Sequence, residues 1–365
     1  MGSLSLSSAM SLSLTSRPSS GSTPFSAYPA LAAAWVAGHG VAAYIGDSLT
    51  CNIGGGVADY TTTFCKTIIS DLNAAGKTAI DGFQFGTHTN TISNPFAYDA
   101  RLTSPHTGRW STSGNYYHSS DFTVGTQQTF TPGLTHDRVR KGNIKFGYLS
   151  TYTITRNAVL LETVTDNAAG FPVSTYTVAS GTQGTVTELA SYGGFGIGVW
   201  ATPFIQCYPS ATQHIQICQM GEAGTTAGDW LVDYPASALS ILNIAIAVDA
   251  DAYFIMLGAN DQRTGVSDAT FEANIDAIVV ALLATGADVR LIVTPPAGGA
   301  SASSNISAGK ITALSTVSTN RGLLAPIDCN TPFSPFNAAN YLADGLHLTN
   351  ATQIAIGNII SATML

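Results

Sequence analysis

The chain has 365 residues, 45% of them hydrophobic and only 10% charged, so it can bury a sizeable core and is far from the composition of a disordered segment. A formal net charge of -8, with no run of Lys or Arg, argues against a surface that attracts phosphate backbones and therefore against nucleic acid as a partner. The cysteines (Cys51, Cys65, Cys207, Cys218 and Cys329) are odd in number and lack paired metal-ligand spacing, so they read as mostly free, buried thiols rather than a disulfide framework or a zinc site.

Residues 1–25 alternate Ser with Leu or Met and close on a Pro- and Ser-rich stretch, a low-complexity opening expected to be a loosely ordered tail or an attachment arm. Residues 1–20 lack a basic region followed by an unbroken apolar run, so no secretory signal is expected there. The apolar run at 30–37 is too short to span a bilayer, and a soluble chain without membrane insertion is expected.

From Val41 the pattern becomes that of an α/β domain. Residues 41–45 are a buried strand, Gly46-Asp47-Ser48 a turn, and Val57, Tyr60, Phe64, Ile68 and Leu72 recur at helical spacing before Gly76. A second α/β stretch has predicted strands at 214–220, 252–257, 289–294 and 323–328. Predicted helices lie at 236–248, 269–285, 303–320 and 351–363, the last with Asn350 as N-cap. Strands alternating with helices imply a mostly parallel sheet covered on both faces. The middle, 85–212, is rich in Thr, Tyr, Gly and Val, with short alternating runs between turn residues, and predicts an inserted β-sandwich. The expected division is thus an arm (1–25), a first α/β part (26–84), the insert (85–212) and a second α/β part (213–365).

Four segments carry chemistry. Gly46-Asp47-Ser48-Leu49 puts a serine hydroxyl at the C-terminal edge of a parallel sheet, where open α/β folds bind ligands. A serine hydroxyl needs a base, and Asp344-Gly345-Leu346-His347 supplies an imidazole together with a carboxylate able to hold its tautomer. Gly258-Ala259-Asn260-Asp261 follows an apolar strand, so the Asn260 amide could donate to a developing oxyanion; the alternative is an ordinary Asn-Asp turn. In Met220-Gly221-Glu222-Ala223-Gly224-Thr225-Thr226, the Gly224 N–H could be a second donor, the alternative being a tight turn.

These four segments, taken in chain order and each at the end of a predicted strand, resemble the conserved blocks of the SGNH (GDSL-type) hydrolases. The resemblance covers about residues 38–82 and 214–365. It implies a flavodoxin-like three-layer α/β/α fold, a triad of Ser48, Asp344 and His347, and an oxyanion hole from Ser48, Gly224 and Asn260. It implies no metal or organic cofactor. The sequence departs from the family at Leu348, where Pro is frequent, and at Met220-Gly221-Glu222, where many members have Asn and small residues.

A β-sandwich inserted in such a domain resembles bacterial polysaccharide and peptidoglycan O-acetylesterases and esterases of phage tails. The expectation is therefore a serine esterase removing O-acetyl groups from a cell-surface glycan. Trp110, Tyr152 and Trp200 are candidate sugar-stacking residues, with Tyr116, Tyr117 and Tyr192 beside them, although such a residue taken alone is more often core. The alternatives are a lipase or thioesterase on fatty acyl esters, and a virion structural or receptor-binding protein that keeps the fold. The expected location is a phage-like particle or the cell exterior, with the cytoplasm as runner-up, and the arm could join virion proteins or a second copy of the chain.

Overall fold

The computed structural model describes residues 25–54, 57–58, 60–85, 102–103, 110–113, 116–119, 127–146, 150–166, 169–181, 185–193, 201–232 and 240–365. The expected arm lies outside them. Six strands form the central sheet: β1 (His39–Gly46), β2 (Ala79–Ile80), β3 (His214–Gly221), β4 (Ala252–Met256), β5 (Asp288–Val293) and β6 (Ile327–Asp328). Their order is β6-β5-β4-β1-β3-β2 and every pairing is parallel. β1 lies between the two strands that follow the insert in sequence, so the chain switches direction across the sheet at β1.

Strands buried on both faces are mostly apolar, and β1, β3 and β4 are buried along nearly their whole length; the buried Gln216 and Gln219 of β3 are hydrogen-bonded, accepting from Gln206 and donating to Thr50 O respectively. Alternate residues serve opposite layers. Val41, Ala43 and Ile45 pack with Tyr253 and Ile255 beneath α3 (Ile241–Ala247), α4 (Asp268–Leu283) and α5 (Ala308–Asn320). Ala42 and Tyr44 pack with Phe254 and Met256 beneath α1 (Pro29–Ala37), α2 (Phe64–Ala74) and α6 (Asn350–Ser361). Each large aliphatic side chain buried this way contributes roughly 1.5–3 kcal/mol. The helices begin where Ser or Thr can cap: Ser240, Ser267, Ser307 and Thr349 each accept a hydrogen bond from the N–H three residues on.

Several boundaries differ from the sequence reading. The first long helix starts at Phe64 rather than near Val57, because Val57–Ala58 pairs with Ile53–Gly54 and Tyr60–Thr62 forms a 3-10 turn. Three threonines, Thr61 to Thr63, disfavour an earlier helical start. Thr349, not Asn350, caps the last helix, and the strand expected at 323–328 contracts to β6. The short edge strand β2, unforeseen, precedes the insert, so His214–Gly221 is the third strand of the central sheet in chain order.

Among the described residues, the inserted region and the adjoining strand Phe83–Phe85 form two antiparallel sheets, of seven and five strands. Val139, Ile205 and Cys207 from one meet Phe130, Ile154, Val164 and Val186 from the other in a shared core, which makes a sandwich. It is tied to the central domain by Cys207 N–H on Gly82 O (2.7 Å), Gln206 on Gln216 (3.3 Å) and Arg140 on Val248 O (2.7 Å). All five cysteines are free and buried, and among the described residues no helix is long and apolar enough to cross a membrane.

Candidate active site

The loops after β1, β3 and β4 leave the same edge of the sheet, and the loop ahead of α6 joins them there. β1 and β3 end in register at Gly46 and Gly221. The four-residue helix Ser48–Cys51 folds directly over both: a Cβ on Gly221 would lie 2.5 Å from Cys51 N, and one on Gly46 would lie 2.7 Å from Met256 O. Glycine is therefore required at both strand ends for the Ser48 turn to fit. Asp47 caps this helix, its Oδ1 accepting the Leu49 N–H at 2.9 Å, while its carbonyl takes the N–H groups of Thr50 and Cys51. Among the described residues the Ser48 N–H has no acceptor, so it is free to donate.

The loop ahead of α6 is shaped by an Asx-type turn. Asp344 Oδ1 accepts from the N–H groups of Leu346 and His347, each at 3.0 Å, and Gly345 takes a left-handed φ of 72°. Asp344 Oδ2 lies 2.5 Å from His347 Nδ1, and His347 Nε2 lies 2.9 Å from Ser48 Oγ. Burial pushes the Asp344 carboxyl up, but the hydrogen bonds from the His347 ring and from the two backbone N–H groups outweigh it and hold the group below the ordinary range. An ionised Asp344 only accepts, so Nδ1 carries the imidazole proton and Nε2 accepts from the Ser48 hydroxyl. Ser48 is 6% exposed, and the side chains of His347 and Asp344 are 14% and 29% exposed. The Ser48 hydroxyl thus sits at the bottom of the site.

Asn260, in the short helix Ala259–Arg263, is buried and its amide nitrogen is already engaged, by Asp47 Oδ2 at 3.3 Å and Thr225 O at 3.1 Å. It can serve an oxyanion only by sharing or exchanging one of these bonds. Gly224 is exposed, with φ of 84°, and its N–H has no acceptor among the described residues. The four segments expected to carry chemistry therefore meet at one sheet edge. Trp200 lies outside the described residues, as do the side chains of Trp110, Tyr116, Tyr117, Tyr152 and Tyr192.

Three residues at this edge escaped the sequence reading. Gln353 on α6 donates to Leu49 O (3.1 Å) and Asn52 Oδ1 (3.2 Å) and accepts from Phe64 N–H (3.0 Å), bracing the Ser48 turn against the helix that follows His347. Asp47 is fully buried, and its carboxyl is pushed up to about 7 by burial, against the Leu49 N–H, with the charge of Asp261 adding to the rise. Asp261 is also buried and pushed up to about 6 by burial, and both of its oxygens lie 3.1 Å from Ala227 N. An acid beside Gly-Ser or after Asn reads as a turn-former in sequence. Its burial becomes visible only when the three loops meet.

No family model and no curated protein matches the chain. Among solved structures it is similar to a peptidoglycan O-acetylesterase (TM-score 0.60, 15% identity, 91% of this chain and 93% of that one). Weaker likenesses include a lipase/acylhydrolase from Enterococcus faecalis (TM-score 0.33, 23% identity, 41% of this chain and 75% of that one). Another is a family two carbohydrate esterase from Clostridium thermocellum (TM-score 0.33, 10% identity, 72% and 96%). These two superpose too poorly to bear on the fold. The first shows that the chain shares that structure's fold, here a parallel central sheet between helical layers with inserted antiparallel sheets.

Proposed function

We propose that this chain is a serine esterase of the SGNH/GDSL kind that removes O-acetyl groups from a cell-surface glycan. The observation that carries the reading is the hydrogen-bonded chain from Asp344 through His347 to Ser48. Ser48 Oγ attacks the ester carbonyl as its proton passes to His347 Nε2, and the imidazolium is stabilised by Asp344. The oxyanion accepts hydrogen bonds from the Ser48 and Gly224 N–H groups and the Asn260 amide. As the intermediate collapses, the C–O bond to the sugar breaks, and His347 returns its proton to the departing alcohol. Water, deprotonated by the same imidazole, then cleaves the acyl-Ser48 ester and releases acetate.

The low exposure of Ser48 favours a small acyl group over a long chain, and the likeness to a peptidoglycan O-acetylesterase supports a glycan as the alcohol portion. The test compares acetate release from acetylated peptidoglycan and capsular glycan by the native chain and by Ser48→Ala. Release by the native chain alone is expected; equal release by both removes Ser48 from the mechanism. Faster turnover of long-chain than of short-chain nitrophenyl esters would replace the acetyl group by a fatty acyl one.

A further inference from the structure

We infer that Asp261 is a positioning residue of the oxyanion hole, gripping the loop after β3 so that the Gly224 N–H stays aimed at the same point as the Asn260 amide. The inference rests on the esterase reading above.

Gly224 is exposed, and a Cβ placed on it would meet nothing within 4 Å. Packing therefore does not locate this residue, and its position depends on whatever holds its neighbours. Some bonds of the loop are internal: Thr225 Oγ1 donates to Glu222 O (2.7 Å), and the N–H and hydroxyl of Thr226 both donate to Asp229 Oδ2 (2.8 Å each). Such bonds fix the shape of the loop but not its place.

Its place is set from outside. The Glu222 N–H bonds to Gly46 O at 2.8 Å, just past the end of β3. Beyond Gly224, two consecutive residues of the Ala259–Arg263 helix take hold of it. Asn260 donates to Thr225 O, and Asp261 accepts the Ala227 N–H across both carboxyl oxygens at 3.1 Å. One short helix thus carries the side-chain donor and also fixes the segment that carries a backbone donor, so a shift of either moves both. Asp261 has 0% exposure. A carboxyl buried so deeply is costly, and the grip on Ala227 is what it does there.

The test uses the full chain, with Asp261→Ala and Asp261→Asn, nitrophenyl acetate as probe and circular dichroism to establish folding. Asp261→Ala is expected to lower kcat on the order of 100-fold through loss of donor alignment, and Asp261→Asn, which keeps an acceptor for Ala227, about tenfold. KM should stay within about threefold for both, since substrate affinity is not what the grip controls. The pH dependence of kcat should keep its shape, because Ser48, His347 and Asp344 are untouched. Hydrogen exchange in the 222–230 segment should quicken in the same order as kcat falls. If Asp261→Ala does not fold, Asp261→Asn carries the comparison.

Unchanged exchange in 222–230 overturns the inference whatever the activity. So does quickened exchange with native kcat, which would leave Asp261 a merely structural group. A native chain that hydrolyses no ester defeats the esterase reading itself, and the positioning role with it.

Discussion

The two ends of the central sheet both carry histidines, and they use them in opposite ways. At the C-terminal end, His347 is held between a carboxylate and a hydroxyl, with each ring nitrogen engaged. At the N-terminal end, His39 opens β1 and its register partner His214 opens β3. Their rings lie 4.6 Å apart, and His39 stacks on Tyr208 of the insert at 4.0 Å. His214 Nδ1 bonds to Thr212 O at 2.6 Å, while Nε2 of both residues is buried with no hydrogen-bond partner among the described residues. Burial pushes His39 down to about 4, helped by His214 and Arg140, and burial lowers His214 too. An imidazole becomes a base when an acid faces one nitrogen and a proton source the other. Without them it is a flat, neutral packing plate, here joining the sheet to the insert.

That contrast can be broken first at the level of turnover. Ser48→Ala or His347→Ala should cost on the order of 10⁴-fold or more in kcat, whereas His39→Phe should leave it unchanged. Initial rates on nitrophenyl acetate decide, and a folded His39→Phe that has lost turnover would erase the distinction between the two ends. Next, Asp344→Asn should lose about 10³- to 10⁴-fold in kcat at nearly constant KM, because the amide no longer imposes the tautomer with Nε2 as acceptor. Below it comes Asn260→Ala, expected to cost about 10²- to 10³-fold as one oxyanion donor disappears. A loss confined to KM would assign Asn260 to ground-state binding instead.

The smallest effects are in stability, and they have opposite signs at the two ends. Asp47 rises from 3.8 to about 7 on folding, so its contribution is fully present below 3.8 and is lost as pH rises through about 7. Asp47→Asn removes that dependence, and its urea midpoint should gain on the native chain between pH 5 and pH 8. His39 falls from 6.5 to about 4, so its contribution is present above 6.5 and is lost as pH falls toward 4. His39→Phe should therefore gain on the native chain upon acidification. Parallel pH profiles for a variant and the native chain would remove that group from the account.

What the sequence disclosed follows the same division. The apolar runs of β1 and β4 and the period of α4 were legible because strands and helices buried in a parallel α/β layer must be apolar along their length or along one face. Ser48, Asp344 and His347 stood out because a nucleophile needs a base and the base needs an acid. The alternating Thr and Tyr of the insert announced half-exposed strands but not their pairing, which joins residues as distant as His136–Phe146 and Ala201–Tyr208. Asp47, Asp261 and Gln353 were not legible, since each works through partners brought from other loops. The two-residue β2 carries too few side chains to leave any period.

The geometry also fixes when activity can arise. The serine and the imidazole that contacts it are separated by 299 positions, and the brace supplied by Gln353 comes later still. A chain emerging from the ribosome exposes its hydroxyl early and gains the imidazole only after the whole inserted sandwich and four further strands of the central sheet have been made. Closing so long a loop is slow but adds little to the entropic cost per residue. Copies that stop short of residue 347 thus carry an alcohol at residue 48 without its imidazole partner, and ester cleavage by the proposed triad would report that synthesis has passed that point.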